Sequence, residues 1–315
     1  MSPTPTPSGL QSLLQQAQRT VESIVLGKQQ EIKLCFVALL ADGHILLNDL
    51  PGMGKTTLAK SMAHVLGLDF QRVQFTSDLM PSDILGVNIL NADKQFELHP
   101  GPIFTQMLLA DEINRASPRI QSALLESMAE HQVTIDRHTL KLPQPFFVMA
   151  TQNPVDQRGT FALPDSQLDR FLFKLSMGYP HADAELALMK GLERQEMILN
   201  APRSLNAEHI LTLQAQTKAV EVHDSIYRYI YRLVNHTREH QQLSMGLSPR
   251  ASLALVKASQ AHAFLAQRQY VTPDDVKSVF VPLAHHRVAV KSLIGDTQDA
   301  SSILHQILNS TPIEA

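Results

Sequence analysis

The chain has 315 residues, with 27 Lys and Arg against 30 Asp and Glu, a formal net charge of −3 and a pI near 6.5. This balance gives no electrostatic reason to expect a nucleic-acid partner, and no run of Lys and Arg interleaved with aromatic residues occurs. The single cysteine, Cys35, excludes an intramolecular disulfide and a thiolate-rich metal site. Because the length exceeds the usual size of one domain, we expect two domains.

The first segment, Ser2 to Gly9, is rich in Pro, Ser and Thr. It lacks the charged and apolar regions of a signal peptide, and we expect a flexible tail over residues 1–20. The most apolar stretch, Cys35 to Leu47, is interrupted at Asp42 and is too short to span a bilayer. The simplest expectation is a cytoplasmic protein.

A glycine-rich loop joins a predicted strand, Ile45–Leu47, to a helix that is predicted from Thr57 onward by apolar residues on one face. The loop resembles the pattern G-x-x-x-x-G-K-[ST], with Asp in place of the first Gly. Such a loop holds the phosphates of a nucleotide on backbone N–H groups at a helix N-terminus. The candidate nucleotide-binding residues are Asp49, Leu50, Pro51, Gly52, Met53, Gly54, Lys55, Thr56 and Thr57.

The residue types of this loop suggest a role for each position. Gly52 and Gly54 let the backbone approach the anion, Lys55 reaches the β and γ phosphates, and the Thr56 hydroxyl ligates Mg²⁺. Asp49 tolerates turn conformations better than most residues do, and its side chain is able to bond the local backbone. The alternative, a glycine turn with an incidental lysine, is disfavoured by the strand before the loop and the helix after it.

A second apolar strand, Met107–Ala110, is followed by two carboxylates, Asp111 and Glu112. Asp111 is the candidate for holding Mg²⁺ or its waters, and Glu112 for orienting and polarising the water that attacks the γ-phosphate. Acids at strand ends are usually only solvated, so the pair points to an ATPase because it occurs together with the Lys55 loop.

Two connections between predicted strands have features of their own. Residues 75–104 are longer than a normal connection, which suggests an inserted functional element. Residues 132–142 alternate apolar and polar side chains around Asp136, which indicates a projecting hairpin.

Three further polar residues lie where an ATPase could use them. Asn153 ends an apolar strand and is a candidate for positioning the attacking water; the alternative is that it only starts a turn with the proline after it. Arg170 precedes another apolar strand, and Arg250 lies at the Pro-started beginning of a later helix. For both arginines the alternative is a surface ion pair, the commoner state of a lone arginine.

Changes of pattern divide the chain into two domains. Over residues 21–180, apolar strands alternate with helical stretches, which predicts an α/β core with a parallel sheet covered on both faces and ligand sites at the carboxyl ends of the strands. Over residues 181–309 the pattern predicts helices alone, and therefore a smaller all-α domain. Residues 310–315 are expected to be a tail.

The order of these motifs resembles that of the MoxR family of AAA+ ATPases, over nearly the whole chain from about Val21. The segments that carry the resemblance are Pro51–Thr56, Leu109–Ala116, Ala150–Pro154, Leu163–Phe171 and Leu247–Ala251. The resemblance implies a P-loop NTPase core of the AAA+ type with αβα layers, followed by a helical lid. It also implies ATP and Mg²⁺ as cofactors.

The resemblance further implies roles for seven of the residues above. The assignments are Walker A for Lys55 and Thr56, Walker B for Asp111 and Glu112, sensor 1 for Asn153, sensor 2 for Arg250 and the arginine finger for Arg170. Sensor 2 is expected to contact the nucleotide of its own chain from the lid. An arginine finger acts on the nucleotide of the adjacent subunit, so the resemblance implies a homo-oligomeric ring, a hexamer as in similar proteins.

Proteins of this family act as chaperone-like factors in the maturation or activation of protein complexes, often with a partner that carries a von Willebrand factor A domain. The resemblance implies the same here, with a protein client. Two alternatives stay open: a related AAA+ motor that acts on nucleic acid or in metal chelation, and a nucleotide switch that does not hydrolyse ATP. DNA-stimulated turnover would favour the first, and the intact Asp111–Glu112 pair disfavours the second. For Arg115 we hypothesise that it senses the nucleotide state of the neighbour; the alternative is a solvated capping role.

Overall fold

The fold is that of a computed structural model, which describes residues 7–91, 93–136, 138–154, 159–190, 193–291 and 299–313. Its strands are β1 (Ile45–Asn48), β2 (Phe70–Gln74), β3 (Gly86–Leu90), β4 (Phe96–Pro100), β5 (Met107–Asp111), β6 (Gln132–Ile135), β7 (His138–Lys141), β8 (Phe147–Gln152), β9 (Phe173–Leu175), β10 (Leu243–Met245) and β11 (Ala289–Val290). Its α-helices are α1 (Pro7–Ile24), α2 (Gln29–Leu40), α3 (Lys55–Leu66), α4 (Pro81–Leu85), α5 (Pro118–Glu130), α6 (Asp165–Leu168), α7 (Ala182–Met189), α8 (Arg194–Asn200), α9 (Ala207–Lys218), α10 (Asp224–Glu239), α11 (Pro249–Leu265), α12 (Pro273–Ala284) and α13 (Ala300–Ser310).

Five parallel strands form the central sheet, in the order β2-β5-β8-β1-β9. Ile45 of β1 is in register with Met149 of β8 on one side and with Phe173 of β9 on the other. The apolar runs of β1, β5 and β8 are buried, as the strands of a sheet covered on both faces must be. All five strands end at one edge of the sheet, and the predicted α/β core is confirmed.

The two distinctive connections both form hairpins. The inserted segment contains α4 and the antiparallel pair β3-β4, and the later connection forms the antiparallel pair β6-β7. The Asn88 side chain of the first hairpin donates a hydrogen bond to Asp136 of the second at 2.8 Å. The prediction of an inserted element and that of a hairpin before β8 are therefore confirmed.

The N-terminal prediction requires a correction, because α1 occupies most of the expected tail. Leu10, Leu14, Ala17 and Val21 are buried, and their spacing of three and four residues makes one apolar helical face. This face packs against α2 and α3. The Pro- and Thr-rich composition holds only for the first few residues, and residues 1–6 lie outside the described part of the chain.

The chain after β9 is mainly helical, as predicted, and begins with the two helices α7 and α8. It differs from the all-α prediction in that β10 pairs with β11 in an antiparallel ribbon. Strands of two or three residues are too short to produce an alternating pattern, so the sequence did not reveal them. In the expected tail, Thr311 is buried and hydrogen-bonded to His236 and Ile307, and the helical domain therefore extends past residue 309.

One hydrophobic cluster connects the sheet region to the helical domain. It includes Leu39 of α2, Phe173 of β9, Leu213 of α9 and Leu255 of α11, all of which are buried. Gln214 of α9 donates its Nε2–H to the carbonyl oxygen of Leu39 at 2.7 Å. Buried apolar surface, and not only the connecting peptide, thus joins the two domains.

Within the described ranges no helix combines the length and apolar character needed to cross a bilayer.

Candidate active site

Two glycines shape the loop between β1 and α3. Gly52 has φ 85° and Gly54 has φ 86°, in the left-handed region that residues with a Cβ rarely adopt. Gly54 directly precedes Lys55, the first residue of α3. The N–H groups of the first turn have no partner within the helix, so an anion beside the loop would meet free donors and the positive end of the helix dipole.

Lys55 is the cation of this loop, and its side chain is buried. Its Nζ donates to the carbonyl oxygens of Asp49, at 2.7 Å, and Leu50, at 3.3 Å. Burial lowers the pKa of Lys55, whereas the carboxylates of Asp49, Asp111 and Glu112 act in the opposite direction. The loop therefore holds a partly desolvated ammonium group next to the site for an anion.

The acid pair follows β5 at the same edge of the sheet. Asp111 accepts hydrogen bonds from the Thr151 hydroxyl at 2.5 Å and from Nη2 of Arg72 at 2.6 Å. The Thr151 oxygen also accepts the backbone N–H of Glu112 at 2.9 Å. One hydroxyl group on the neighbouring strand β8 thus positions both acids.

Glu112 has an unusual backbone conformation, with φ 58° and ψ 49°. A residue other than Gly in this left-handed region costs about 1–3 kcal/mol, and such residues cluster at functional sites. The Glu112 carboxylate lies 2.7 Å from Nε of Arg115 in the same chain. Arg115 therefore contacts the acid of its own chain, and the hypothesis that it senses the neighbour remains a prediction.

These groups line one cleft of about 350 Å³ at the carboxyl edge of the sheet. The predicted residues that line it are Pro51, Gly52, Gly54, Lys55, Thr56, Thr57, Asp111, Glu112 and Asn153. The hydroxyl of Thr56 and the carboxylate of Asp111 are the oxygen ligands that Mg²⁺ prefers, so the donor set fits that ion. Met53, another candidate nucleotide-binding residue, does not line this cleft but packs against the hydrophobic cluster that includes Leu39 and Leu213.

Asp49, where the loop departs from its pattern, does not line the cleft. Its buried carboxylate accepts a hydrogen bond from the Ser176 hydroxyl at 2.7 Å and from the N–H groups of the next two residues at 2.7 and 3.0 Å. Lys28 donates to the carbonyl oxygens of Met177 and Tyr179 in the same connection. The side-chain oxygens of Asp49 are therefore occupied by the connection from β9 to α7, and the place of Asp49 among the nucleotide-binding residues stays a prediction for its backbone alone.

Arg170 lies at the opposite edge of the sheet from the cleft, because it precedes β9 whereas the cleft residues follow their strands. Its Nη1 donates to the carbonyl oxygen of Leu125 at 2.5 Å, in a groove that Glu126 and Glu130 also line. A strand of five residues spans about 17 Å, which is beyond the reach of an arginine side chain. Arg170 cannot contact a nucleotide in the cleft of its own chain.

Arg250 lies close to Arg170 in the fold, which corrects the expectation that it contacts the nucleotide of its own chain. Its side chain is 66% exposed, and Nη1 is 4.0 Å from a carboxylate oxygen of Asp169. The other oxygen of Asp169 is 2.7 Å from Nε of the buried Arg287. The reason is that α11 packs against α2, α9 and α12, which brings its first turn beside the residues before β9. We call Asp169, Arg170, Arg250 and Arg287 the arginine edge.

Four residues at the cleft or its acids were missed by the sequence analysis. Arg72 and Gln74, two residues apart on β2, line the cleft, and the alternation of this strand was the signal that could have revealed them. Thr151 is the last buried residue of β8, two residues before Asn153. A polar residue at the carboxyl end of a predicted apolar strand was the signal that could have revealed it. Arg194 also lines the cleft, but no local pattern points to it.

The parallel sheet, the phosphate loop, the acid pair and the helical domain together define a P-loop ATPase of the AAA+ class. A family model described as "ATPase family associated with various cellular activities (AAA)" matches residues 44–173, and a model of the AAA lid domain matches residues 235–307.

Comparison with known proteins gives the family. A Bacillus subtilis protein named Uncharacterized protein YeaC is 48% identical over 280 residues, which cover 89% of this chain and 88% of that one. Chaperone MoxR1 of Mycobacterium tuberculosis is 37% identical over 314 residues, 95% of this chain and 82% of that one. The crystal structure of a candidate ATPase from Cytophaga hutchinsonii superposes with a TM-score of 0.90 at 34% identity, over 97% of this chain and 96% of that one. The chain belongs to the MoxR family of AAA+ ATPases.

Proposed function

We propose that this protein hydrolyses ATP with Mg²⁺ and works as a ring-forming, chaperone-like remodelling factor. The observation that carries the proposal is the cleft, in which the predicted Walker A, Walker B and sensor 1 residues line one space. Lys55 and the first turn of α3 bind the phosphates of the nucleotide. Thr56 and Asp111 would hold Mg²⁺ together with the nucleotide, and the ion would supply positive charge against the charge that develops on the phosphates.

Both acids of the cleft already have partners in their own chain. Asp111 accepts from Thr151 and Arg72 through different oxygens, and the oxygen bonded to Thr151 keeps a lone pair that could bind a metal ion or its waters. Glu112 is paired with Arg115 and must leave it to orient and polarise the attacking water together with Asn153. The Glu112–Arg115 contact therefore favours an inactive arrangement until a nucleotide binds.

We propose that the site is completed between subunits of a hexameric ring. Arg170 and Arg250 lie at the amino edge of the sheet, where they cannot serve their own cleft; Arg170 is half-buried and Arg250 is exposed. In a head-to-tail ring the same two surfaces meet at every interface, so each arginine edge would face the cleft of the next subunit. This arrangement assigns Arg250, like Arg170, to the nucleotide of the adjacent chain.

We further propose that the ring acts in the cytoplasm on protein clients, in the maturation or activation of protein complexes, with a partner that carries a von Willebrand factor A domain. The support is the family and the name of the relative Chaperone MoxR1. A motor that acts on nucleic acid is the alternative, and turnover that rises with added DNA and falls steeply with salt would favour it.

The test is steady-state ATP hydrolysis measured against protein concentration, for the unaltered protein and for Glu112→Gln. We expect the rate per subunit to rise with concentration, because catalysis needs two chains. The variant should lose about a hundredfold or more in rate, since general-base groups contribute that much, and it should still bind ATP. Glu208→Gln is the matched control, because Glu208 is exposed on α9 away from the cleft.

Two results would contradict the proposal. A rate per subunit that is independent of concentration, over a range in which sedimentation shows assembly, would mean that one chain suffices. An unaltered protein that binds ATP but turns it over no faster than Glu112→Gln would favour the nucleotide switch.

A further inference from the structure

The short helix α8 is fixed along α3, the helix that follows the phosphate loop. At its C-terminal end, Ala201 accepts a hydrogen bond from the ring of His64 at 2.9 Å, and the N–H of Ser204 donates to Val65 at 2.9 Å. Met197 and Ile198 of α8 pack against the hydrophobic cluster. Since His64 and Val65 lie near the end of α3, the two helices run in the same direction. The first residue of α8, Arg194, therefore lies beside the start of α3.

Arg194 enters the cleft at Gly54, the glycine directly before α3. A Cβ placed on Gly54 would lie 3.6 Å from Nη1 of Arg194, so the guanidinium group lies directly over this backbone position. Within the described part of the chain, Nε of Arg194 is buried and has no hydrogen-bond partner. Burial also lowers the pKa of Arg194. A buried donor without an acceptor costs free energy, which a ligand at this position would recover.

The cleft indicates which ligand supplies the missing acceptor. Arg194 shares the site with the ammonium group of Lys55 and with the N–H groups of the first turn of α3, and all of these donate to an anion. The other arginine of this cleft, Arg72, is already bonded to Asp111. Phosphate oxygens match a guanidinium group particularly well, because its planar N–H donors form paired hydrogen bonds.

We propose that Arg194 binds the phosphate chain of the nucleotide in its own subunit, an inference that rests on the proposed function. Because the backbone of such a loop holds the α and β phosphates, a group over Gly54 meets the phosphates that ATP and ADP share. Arg194 thus provides, from the side of the helical domain, the contact within one chain that Arg250 does not make. The bound nucleotide joins α8 to α3.

The test is the equilibrium affinity for fluorescent ADP and ATP analogues, measured with the unaltered protein, Arg194→Gln and Arg194→Lys. Arg194→Gln should weaken the binding of both nucleotides by a similar factor, about tenfold to a hundredfold, as expected for a hydrogen bond to a charged group. Arg194→Lys should restore part of the affinity, because it keeps the charge. Arg203→Gln is the matched control, since Arg203 is exposed beyond the other end of α8.

The melting temperature without nucleotide separates binding from a structural role. A role in packing alone would lower the melting temperature of Arg194→Gln and would not be rescued by the charge of lysine. Equal affinities of the unaltered protein and Arg194→Gln would overturn the inference, as would a loss confined to ATP, and both would leave the proposed function standing. Failure of the unaltered protein to bind either analogue would instead refute the proposed function.

Discussion

The cleft and the arginine edge differ in the end of the sheet at which they lie. The cleft consists mainly of residues at the ends of β1, β5 and β8 or just after them. The arginine edge consists of residues next to the start of β9, of Arg250 from α11 and of Arg287, which follows α12. The cleft is closely connected within one chain, since Thr151 alone bonds to both acids. At the arginine edge, Arg250 remains 66% exposed. In the proposed ring, one subunit would therefore carry two halves of different sites.

The two regions also differ in what satisfies their charges. In the cleft, Asp111 and Glu112 have arginine partners, whereas the buried Nε of Arg194 has no acceptor among the residues that the structure describes. At the arginine edge, Asp169 is bonded to the buried Arg287 and lies near Arg250. The first region therefore has a donor that a phosphate oxygen would satisfy, whereas the arginines of the second region have partners in their own chain.

The largest expected effect on the rate of ATP hydrolysis is that of Arg170→Ala, which removes the proposed arginine finger from the arginine edge. In other nucleotide hydrolases an arginine finger contributes about a thousandfold or more in rate, and we expect a loss of that size with unchanged nucleotide affinity. Mixing Arg170→Ala with Glu112→Gln tests whether the arginine edge and the cleft act together from different chains. Each variant alone should be nearly inactive, but their mixture should recover activity.

The recovery follows from the arrangement of a head-to-tail ring. In an equimolar random mixture, about a quarter of the interfaces would join an intact Glu112 to an intact Arg170 of the neighbour, and only these would turn over. If Arg170 acted within its own chain, no interface of the mixture would be complete. Activity of the mixture no higher than that of either variant would therefore contradict the assignment, provided that both variants assemble. Arg19→Ala, on the exposed side of α1, is the control for removal of an arginine.

A smaller effect on the rate of ATP hydrolysis is expected for Arg250→Ala, and this variant tests whether Arg250 belongs functionally to the arginine edge or to the cleft of its own chain. One hydrogen bond to a charged group corresponds to about a tenfold to a hundredfold loss in rate. Because Arg250 lies on the arginine edge, mixing with Glu112→Gln should again recover activity, and the affinity of the variant for ATP should be unchanged. Weaker ATP binding by Arg250→Ala at concentrations where the protein is monomeric would show that it serves its own cleft.

The smallest effect concerns Asp49, where the loop meets the connection to α7. Asp49→Gly restores the common loop pattern, yet we expect it to lower the free energy of unfolding by about 2 kcal/mol, because three donors lose their acceptor. Denaturant unfolding without nucleotide measures this change. Asp49→Asn, which keeps one acceptor oxygen, should lie between the two. Equal or greater stability of the glycine variant would mean that these hydrogen bonds contribute nothing.

The sequence allowed prediction of those parts of the fold and site that depend on neighbouring residues. Gly52, Gly54 and Lys55 belong to one contiguous loop, and its phosphate-binding form follows from the strand before it and the helix after it. The acids after β5 were predictable for the same reason. The parallel sheet followed from apolar runs that alternate with helical segments.

The remaining features depend on contacts between residues distant in the chain. Arg194 reaches Gly54 only because α8 packs along α3, and no spacing in the sequence encodes that contact. The position of Arg250 depends in the same way on the packing of α11 against α2. For Asp49, the sequence indicated a backbone contact, but its partners lie 127 to 129 residues away. α1 overlaps a segment whose first residues are rich in Pro and Thr, and only the periodic spacing of Leu10, Leu14 and Ala17 indicates the helix.

The hydrophobic cluster that joins α2 to α9 and α11 limits how the helical domain could move relative to the sheet region of its own chain. To rotate the lid away from its own core, the protein would have to expose side chains such as Leu39, Leu213 and Leu255, at about 25 cal/mol for each Å² of apolar surface. The contacts of Asp49 and Lys28 restrain the connecting segment as well. Displacement of one whole subunit against the next requires no such exposure. In the proposed ring, movement is therefore expected at the boundary between chains, where the proposed catalytic site would be completed.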